Sequence, residues 1–465
     1  MKREILEKVL NANKNLIING DISTGKTRNV SFPLVDRMIE QKESFLILDS
    51  KEEYTHRYFN LLKENNYNLI TINLRDLEKS DGWNPLEYSY NLYKKGNKEK
   101  AIEYLDMIGK VLFYDKTSAD PFWSLTSADF FTGLSLGLFN DANSNEINFN
   151  SISNMFECVD KKFGLKDYVT EYFNSKDWTS PEFVCASATV YAPAETKGGI
   201  IATSKQKMRT YVSGEKLSNL LNKTTFDYHD IISKPTAIFV ISRDENTKYN
   251  TIAAAFIEQL FQILIDLKNK SKFNFILDNI DDIEKINDLS NMLSSGIARN
   301  IKFYVLTRSL EDLNNKYGLY INKLSNIINV TNKNIKIMID DEVENIDNEF
   351  FDNENINVNV DYPIITKNTI AIFDLEKFVK EYKSSIFKTQ ISSDSLFDGI
   401  KLNNPFKSQE YKEINSNSNS NFNVDDLINR IDKKLEELEN EEIAEKARNN
   451  SSNIVSNFEK FKTNE

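Results

Sequence analysis

The sequence predicts an α/β fold with a mostly parallel twisted sheet, an inserted all-α domain and a flexible C-terminal tail. Short apolar runs alternate with segments of helical periodicity, which is the pattern of a parallel sheet with crossover helices. Between about residues 91 and 192, apolar residues recur only at helical spacing. From about residue 392 the chain becomes rich in Asn and Ser, a composition typical of linkers.

The first predicted strand, residues 16–18, leads into a loop that we call the phosphate loop (residues 20–27). It reads G-D-I-S-T-G-K-T and matches G-x-x-x-x-G-K-[ST] completely. Its glycines let the backbone bend so that N–H groups surround a phosphate. Lys26 would reach the β- and γ-phosphates, and the Thr27 hydroxyl would ligate Mg²⁺. The predicted nucleotide-binding residues are Gly20, Asp21, Ile22, Ser23, Thr24, Gly25, Lys26 and Thr27.

Two later strands each end in a carboxylate. Residues 44–48 are followed by Asp49, and residues 273–277 are followed by Asp278. Open α/β sheets bind ligands at the carboxyl ends of their strands, so both acids are expected near the phosphate loop. Asp278 is predicted to hold the Mg²⁺ shell. Asp49 has two interpretations, a site residue or the cap of the helix that follows it.

Other segments of the chain carry weaker signals. Apolar runs predict further strands, and a cluster of basic residues lies in one helical segment. That cluster either forms a solvated helix face or lines a passage for nucleic acid or a nucleotide edge. The further strands are predicted at 69–74, 236–241, 301–306, 335–339 and 370–374, and the basic residues are Lys197, Lys205, Lys207 and Arg209.

Composition narrows the possible classes of protein. The net charge of −12, with 70 acidic and 58 basic residues, argues against a broad nucleic-acid binder but not against a local basic channel. Two cysteines and two histidines make a disulfide scaffold or a Cys/His zinc site a poor interpretation. The N-terminus does not read as a signal peptide, and no apolar run reaches membrane-spanning length. The expected location is the cytoplasm.

Several segments, in their shared order over residues 15–320, resemble the TraG-like type IV secretion coupling proteins. The resemblance implies a RecA-like P-loop NTPase core that binds ATP and Mg²⁺. It also implies a hexamer that delivers DNA–relaxase or protein cargo to a secretion channel during conjugation. The segments read G-D-I-S-T-G-K-T, L-I-L-D-S-K-E-E-Y, S-D-G-W-N-P-L, D-P-F-W, A-P-A-E-T-K-G-G-I-I, T-A-I-F-V-I-S-R-D-E and F-I-L-D-N-I-D-D-I-E-K-I.

Periodicity and resemblance together predict four segments. Residues 1–90 and 193–390 are the two parts of the RecA-like core, and residues 91–192 are the all-α insertion. Residues 391–465 are a flexible linker and an amphipathic C-terminal helix, predicted at Val424–Arg448. That helix either binds a partner or another copy of the chain, or folds back on the core.

The chain departs from this family at the residues that would hydrolyse ATP. Asn279 stands where the family has glutamate, and an amide cannot accept a proton from water, which typically costs about 10²–10⁴ in rate. Asp281 or Asp282 could substitute. Arg308 replaces a glutamine, and Arg299 is the nearby candidate to act in trans on a neighbour's nucleotide. The predicted catalytic residues are Asp278, Asn279 and Arg299, and the predicted metal ligands are Thr27 and Asp278.

Two functions remain open at this point. One is an ATP-binding coupling-protein homologue, a P-loop ATPase with weak hydrolysis. The other is a nucleotide-binding regulatory or scaffold subunit without motor activity that docks partners through its C-terminal helix. The chain is expected to form a homo-oligomer or to assemble with a complete coupling protein. Family members usually begin with membrane-spanning helices, so recruitment to the inner face of the cell membrane is expected only through a partner.

Overall fold

The computed structural model describes residues 3–113, 120–243, 245, 247–339, 342–348, 360–366 and 369–392. These residues form two compact units. The first unit contains Met1–Glu157 and Lys176–Asp374. The second contains Cys158–Ser175 and, among the described residues, the helix that begins at Leu375. The predicted C-terminal helix at Val424–Arg448 lies outside the described residues.

Eleven strands occur in the described part of the chain. Nine of them form one sheet in the first unit, and two form a short antiparallel pair in the second. In chain order they are β1 (Asn15–Asn19), β2 (Ser44–Leu48), β3 (Asn68–Asn73), β4 (Lys162–Phe163), β5 (Lys166–Asp167), β6 (Thr236–Ile241), β7 (Phe273–Leu277), β8 (Ile301–Thr307), β9 (Ser325–Val330), β10 (Asn334–Ile339) and β11 (Glu342–Asp347).

The large sheet has the strand order β11-β10-β9-β1-β8-β7-β2-β6-β3 and is mostly parallel. Only β10 runs antiparallel, to both β9 and β11. The register aligns the carboxyl ends of the central strands, since Ile18 pairs with Leu306 and Leu277 pairs with both Val305 and Leu48. These ends therefore meet at one edge of the sheet, as the sequence predicts.

Helices connect these strands and cover the sheet. In chain order they are α1 (Arg3–Asn11), α2 (Phe32–Glu40), α3 (Glu53–Glu64), α4 (Glu87–Lys94), α5 (Lys98–Phe113), α6 (Phe122–Asp141), α7 (Phe149–Glu157), α8 (Tyr168–Asn174), α9 (Pro181–Val190), α10 (Ala194–Val212), α11 (Glu215–Leu220), α12 (Tyr228–Ser233), α13 (Asn250–Asp266), α14 (Leu289–Gly296), α15 (Leu310–Tyr317), α16 (Tyr320–Lys323) and α17 (Leu375–Ser392). None of the helices in the described residues combines the length and apolar character that a membrane span requires.

The central strands consist mostly of apolar residues because both faces of the sheet are covered. All five residues of β2 and all six of β6 are buried. On one face, α1, α2 and α3 pack apolar side chains such as Val35 and Tyr58 against this core. On the other face, Phe261 of α13 packs against Phe275 and Phe303, whose rings are stacked with centroids 4.8 Å apart. The sheet is thus packed on both faces and supports the loops at its edge.

In the first unit, the described residues from α4 to α7 and from α9 to α12 contain helices and no strands. The centre of this region is α6, which packs against α5, α7, α9 and α10. Helical structure continues past residue 192, the predicted end of the insertion, because α10 packs on α6 and α7. The segment boundaries at residues 90, 192 and 390 stay predictions.

The second unit is small. In it α17 packs against α8, with the rings of Tyr172 and Phe378 5.7 Å apart. Lys383 pairs with Glu171 at 2.6 Å, and Lys161 forms an ion pair with Glu376.

One strand prediction is wrong. Residues 370–374, in the first unit, form no strand because their backbone bonds to side chains instead. The Phe373 amide donates to Ser151 Oγ at 2.9 Å, and the Ala371 carbonyl accepts from Asn148 Nδ2 at 2.8 Å. The other predicted strands are present in the sheet with ends that shift by a residue or two.

Candidate functional site

The phosphate loop leaves the carboxyl end of β1 and makes a tight turn. A Cβ on Gly20 would lie 2.5 Å from the Val330 carbonyl oxygen, so only glycine lets the loop start this close to β9. Gly25 has a φ of 85°, a left-handed conformation that glycine adopts without strain. A π-helical turn at Lys26–Ser31 then leads into α2. The loop therefore has the tight backbone bends that anion-binding loops require.

Lys26 is held inside the phosphate loop. Its Nζ donates to the Gly20 carbonyl oxygen and to the Asp21 carbonyl oxygen, the latter at 2.9 Å. Burial lowers the pKa of Lys26, while the negative charge of Asp278 acts in the opposite direction. The ammonium group is thus fixed at the start of the phosphate loop, against two of its carbonyl oxygens.

Thr27 and Asp278, which are 251 positions apart in sequence, meet at the site. The Thr27 hydroxyl donates to Asp278 Oδ2 at 2.9 Å. Asp278 Oδ1 is buried and has no hydrogen-bond partner among the described residues. Burial raises the pKa of Asp278, and the hydrogen bonds from Thr27 and Tyr54 oppose the rise. A buried carboxylate oxygen without a partner, beside a hydroxyl, suits a hard cation with oxygen ligands.

The residues around this pair enclose a cleft of about 620 Å³. Its walls come from the phosphate loop, the π-helical turn that follows it, the loop after β2, the start of α3, the loop after β7 and the end of β8. The lining residues are Ile22, Ser23, Thr24, Gly25, Lys26, Thr27, Arg28, Asn29, Asp49, Ser50, Lys51, Glu53, Tyr54, Asp278, Asn279, Asp282 and Arg308. A cleft of this volume at the carboxyl ends of parallel strands is a typical site for a small ligand.

Asn279 lines the cleft next to Asp278 but is tied to a neighbouring loop. Its backbone is left-handed, with a φ of 52°, and its Nδ2 donates to Ser50 Oγ at 3.1 Å. Arg308 is engaged by two carboxylates. Its amide donates to Asp281 Oδ2 at 2.8 Å, and its guanidinium bonds to Asp282.

Asp49 is buried behind the cleft and caps α3. Its Oδ2 accepts from the backbone N–H and from the hydroxyl of Thr55, both at 2.8 Å. Burial raises the pKa of Asp49 to about 7, and these two hydrogen bonds limit the rise. Of its two interpretations, the geometry favours the helix cap, although the residue also reaches the wall of the cleft.

Arg299 does not belong to this cleft. It precedes the amino end of β8, whereas the phosphate loop follows the carboxyl end of the parallel strand β1. The two therefore lie at opposite edges of the sheet, and Arg299 Nη1 donates to the Ser295 carbonyl oxygen at 2.8 Å. A role for Arg299 at a nucleotide would require a second copy of the chain, and it stays a prediction.

A family model described as type IV secretory system conjugative DNA transfer matches residues 16–348. The match runs from β1 to the residue after β11 and covers more than half of the chain. The chain belongs to the type IV secretory system conjugative DNA transfer family. The resemblance to TraG-like coupling proteins is therefore confirmed at the level of the family. Among functionally curated protein sequences, none matches the chain.

Solved structures of the plasmid coupling protein TrwB share the fold of this family member. The complex of TrwB with the ATP analogue ADPNP has a TM-score of 0.56 at 10% identity, covering 77% of this chain and 89% of TrwB. The complex with ADP and Mg²⁺ has a TM-score of 0.52 at 12% identity, covering 80% and 88%. The unbound form has a TM-score of 0.52 at 12% identity, covering 72% and 77%. These likenesses confirm the RecA-like α/β fold.

Sequence reasoning missed two residues that shape the cleft of this family member. The Tyr54 hydroxyl lies 3.0 Å from Asp278 Oδ2 and 2.7 Å from Ser31 Oγ, so it links α3 to the candidate metal ligand. Asn348 Nδ2 donates to the Thr24 carbonyl oxygen at 2.9 Å and fastens the phosphate loop. Neither has a local signal, because each acts on residues that are remote in sequence.

The basic cluster lies on α10, away from the residues that line the cleft. Lys205 pairs with Glu157 at 2.9 Å, and Arg209 is exposed. The solvated helix face accounts for these two residues, and the nucleic-acid interpretation of the cluster stays a prediction.

Proposed function

We propose that this chain is an ATP-binding coupling-protein homologue of a type IV secretion or conjugation system. It delivers DNA–relaxase or protein cargo to the channel and hydrolyses ATP weakly. The observation that carries the proposal is the 2.9 Å hydrogen bond from the Thr27 hydroxyl to Asp278, beside a complete phosphate loop. Family membership and the TrwB complexes with ADPNP and with ADP and Mg²⁺ support it.

The residues present fit a nucleotide with Mg²⁺. The loop amides and Lys26 would bind the phosphates, while the Thr27 hydroxyl and Asp278 would hold the metal ion and its water shell. The free Oδ1 of Asp278 supplies an acceptor for such a shell. Bound Mg²⁺ would neutralise negative charge that develops on the phosphates. The nucleotide-binding residues Gly20–Thr27 and the ligands Thr27 and Asp278 are thus part of the proposal.

The phosphate loop can be tested by nucleotide binding. Lys26→Ala removes the fixed ammonium group, and since charge-assisted hydrogen bonds are worth about 1.5–3 kcal/mol each, affinity for ATP should fall by more than about 100-fold. The measurement is titration of the full chain with a fluorescent ATP analogue and Mg²⁺. Lys42→Ala is the matched control, because Lys42 is exposed, contacts Asn65 and the ring of Tyr67, and is not among the residues that line the cleft. Wild-type affinity in the Lys26→Ala protein would contradict the site.

A second function is favoured by one observation. The position beside Asp278 carries an amide that bonds to Ser50, in place of a glutamate that could accept a proton. A nucleotide-binding regulatory or scaffold subunit without motor activity would need no such base. It would dock partners through its C-terminal segment or assemble with a complete coupling protein.

ATPase activity with and without single-stranded DNA separates the two functions. A motor that moves DNA should hydrolyse ATP faster when DNA is present. Binding of ATP without any hydrolysis, in either condition, would favour the regulatory subunit. Mass measurement with bound nucleotide would show whether the chain forms the expected homo-oligomer.

A further inference from the structure

Carboxylates other than Asp278 lie in or beside the cleft, and two of them, Asp282 in its wall and Asp281 near Lys26, are already engaged. Asp281 accepts from the Thr307 hydroxyl at 2.9 Å and from the Arg308 amide at 2.8 Å. Asp282 bonds to the Arg308 guanidinium. To accept a proton from water in place of the missing glutamate, either acid would first have to break these hydrogen bonds. The alternative bases expected from the sequence are therefore poorly placed for that role.

Asp49 is engaged as well. Asp49 is 1% exposed, and its carboxylate accepts two hydrogen bonds from Thr55 in the first turn of α3. A water molecule would reach it only with difficulty, since almost none of its surface is open to solvent.

Glu53 differs from these acids because its carboxylate is free. It is the first residue of α3, lines the cleft and is partly exposed. Within the part of the chain that the structure describes, no hydrogen bond or ion pair engages it. Its negative charge contributes to raising the pKa of Asp278, which shows that the two carboxylates lie within electrostatic reach.

The backbone around Glu53 is firmly positioned. Glu52 adopts a left-handed conformation with a φ of 58°, which ends the loop after β2 and starts α3. Tyr54 then fastens the first turn of this helix through its contacts with Ser31 and Asp278. Glu53 is therefore held between two fixed residues with its side chain at the cleft.

We propose that Glu53 is the general base for ATP hydrolysis in this chain, in place of the glutamate that Asn279 replaces. This inference rests on the proposed function. Glu53 accepts a proton from the attacking water as the water oxygen bonds to the γ-phosphorus. The bond from that phosphorus to the β–γ bridging oxygen breaks, ADP leaves with the bond's electrons, and the proton passes from Glu53 to solvent. Asn279 can orient the water but takes no proton.

The test is a comparison of full-length variants by steady-state ATPase kinetics and by ATP titration. Glu53→Gln should lower kcat by about 10²–10⁴-fold while the Kd for ATP stays unchanged, because the base acts on water and not on the bound nucleotide. Adding Asn279→Glu to Glu53→Gln should restore turnover, since it returns a carboxylate to the cleft. An unchanged Kd for ATP in Glu53→Gln would also show that the single variant is folded.

Glu52→Gln is the matched control, because the neighbouring Glu52 bonds to Tyr362 and Arg75 and does not line the cleft. It should keep the wild-type kcat. Wild-type turnover in Glu53→Gln would overturn the proposal, as would a loss of rate that is matched by a loss of ATP affinity. Wild-type protein that binds ATP but does not hydrolyse it, with or without single-stranded DNA, would overturn it too. Absence of ATP binding would contradict the proposed function itself.

Discussion

A single side chain remote in sequence holds the phosphate loop in place. Asn348 follows Thr24 by 324 positions, yet its Nδ2 donates to the carbonyl oxygens of Thr24, at 2.9 Å, and Thr331, at 2.6 Å. Its Oδ1 accepts from Asn29 Nδ2 at 2.5 Å. Asn348 thus joins the loop to the turn after β9, and a buried carbonyl that loses its donor costs about 1–3 kcal/mol.

Asn348→Ala should therefore weaken ATP binding by roughly tenfold, because the loop must then be ordered by the nucleotide itself. Isothermal titration with ATP and Mg²⁺ measures the change. Asn345→Ala, an exposed position of the neighbouring strand β11, is the control and should bind as the wild type does. Equal affinities for the two variants would show that Asn348 does not organise the loop.

Among the elements, α6 depends on close approach to α9. A Cβ on Gly133 would lie 2.8 Å from the Ala186 backbone nitrogen, 2.9 Å from the Ala186 Cβ and 3.0 Å from the Glu182 carbonyl oxygen. Two of these three atoms are backbone, so the helices would have to separate. The helical spacing of apolar residues predicts that α6 exists, but it does not predict which face needs a glycine.

Gly133→Ala should destabilise the protein by about 1–3 kcal/mol through this overpacking. Gly198→Ala is the matched control, since nothing lies within 4 Å of a Cβ at Gly198 in the interior of α10. That substitution should instead stabilise the protein by up to about 1 kcal/mol, because alanine favours helices. Thermal unfolding of both variants gives the comparison, and stabilisation by Gly133→Ala would contradict the tight contact.

For the molecule as a whole, buried carboxyl groups make stability depend on pH. Glu258 of α13 is 4% exposed, and burial raises its pKa to about 7, although the Asn287 amide donates to it. Because the pKa of this carboxyl is higher in the folded state than in the unfolded state, its protonation stabilises the fold at low pH. This contribution to the free energy of unfolding is lost as pH rises from the unfolded pKa toward 7. A tenfold change in proton affinity is worth about 1.4 kcal/mol, so the loss at this carboxyl is on the order of 3 kcal/mol.

Glu258→Gln should remove this dependence, because glutamine keeps an acceptor for the Asn287 amide without a charge. The variant should unfold at a higher temperature than the wild type at pH 8 and differ from it much less at pH 5. Unfolding measured across pH 4–8 tests this. A constant difference between the two proteins at all pH values would mean that ionisation of Glu258 does not oppose folding.

Patterns among residues close together in sequence were sufficient to predict much of the fold and part of the candidate site. The strands that precede Asp49 and Asp278 are visible because short runs of mostly apolar residues mark strands buried on both faces. Residues 370–374 carry the same kind of run but bond to Ser151 and Asn148, since a strand forms only where a neighbouring edge is available. A run of apolar residues therefore predicts that a segment is buried more reliably than it predicts that the segment pairs with another strand.

By itself, the sequence determined the phosphate loop, the α/β alternation, the helical region and the acid at the end of β7. Each of these features depends on residues that are close together along the chain. Only the tertiary structure decided that Tyr54 and Asn348 support the site. It also decided that Arg308 bonds to Asp281 and Asp282, and that Glu53 makes no hydrogen bond or ion pair within the described residues. The contacts of Tyr54 with Asp278 and of Asn348 with Thr24 depend on the order of the strands, which brings residues more than 200 positions apart together, and no local pattern specifies that order.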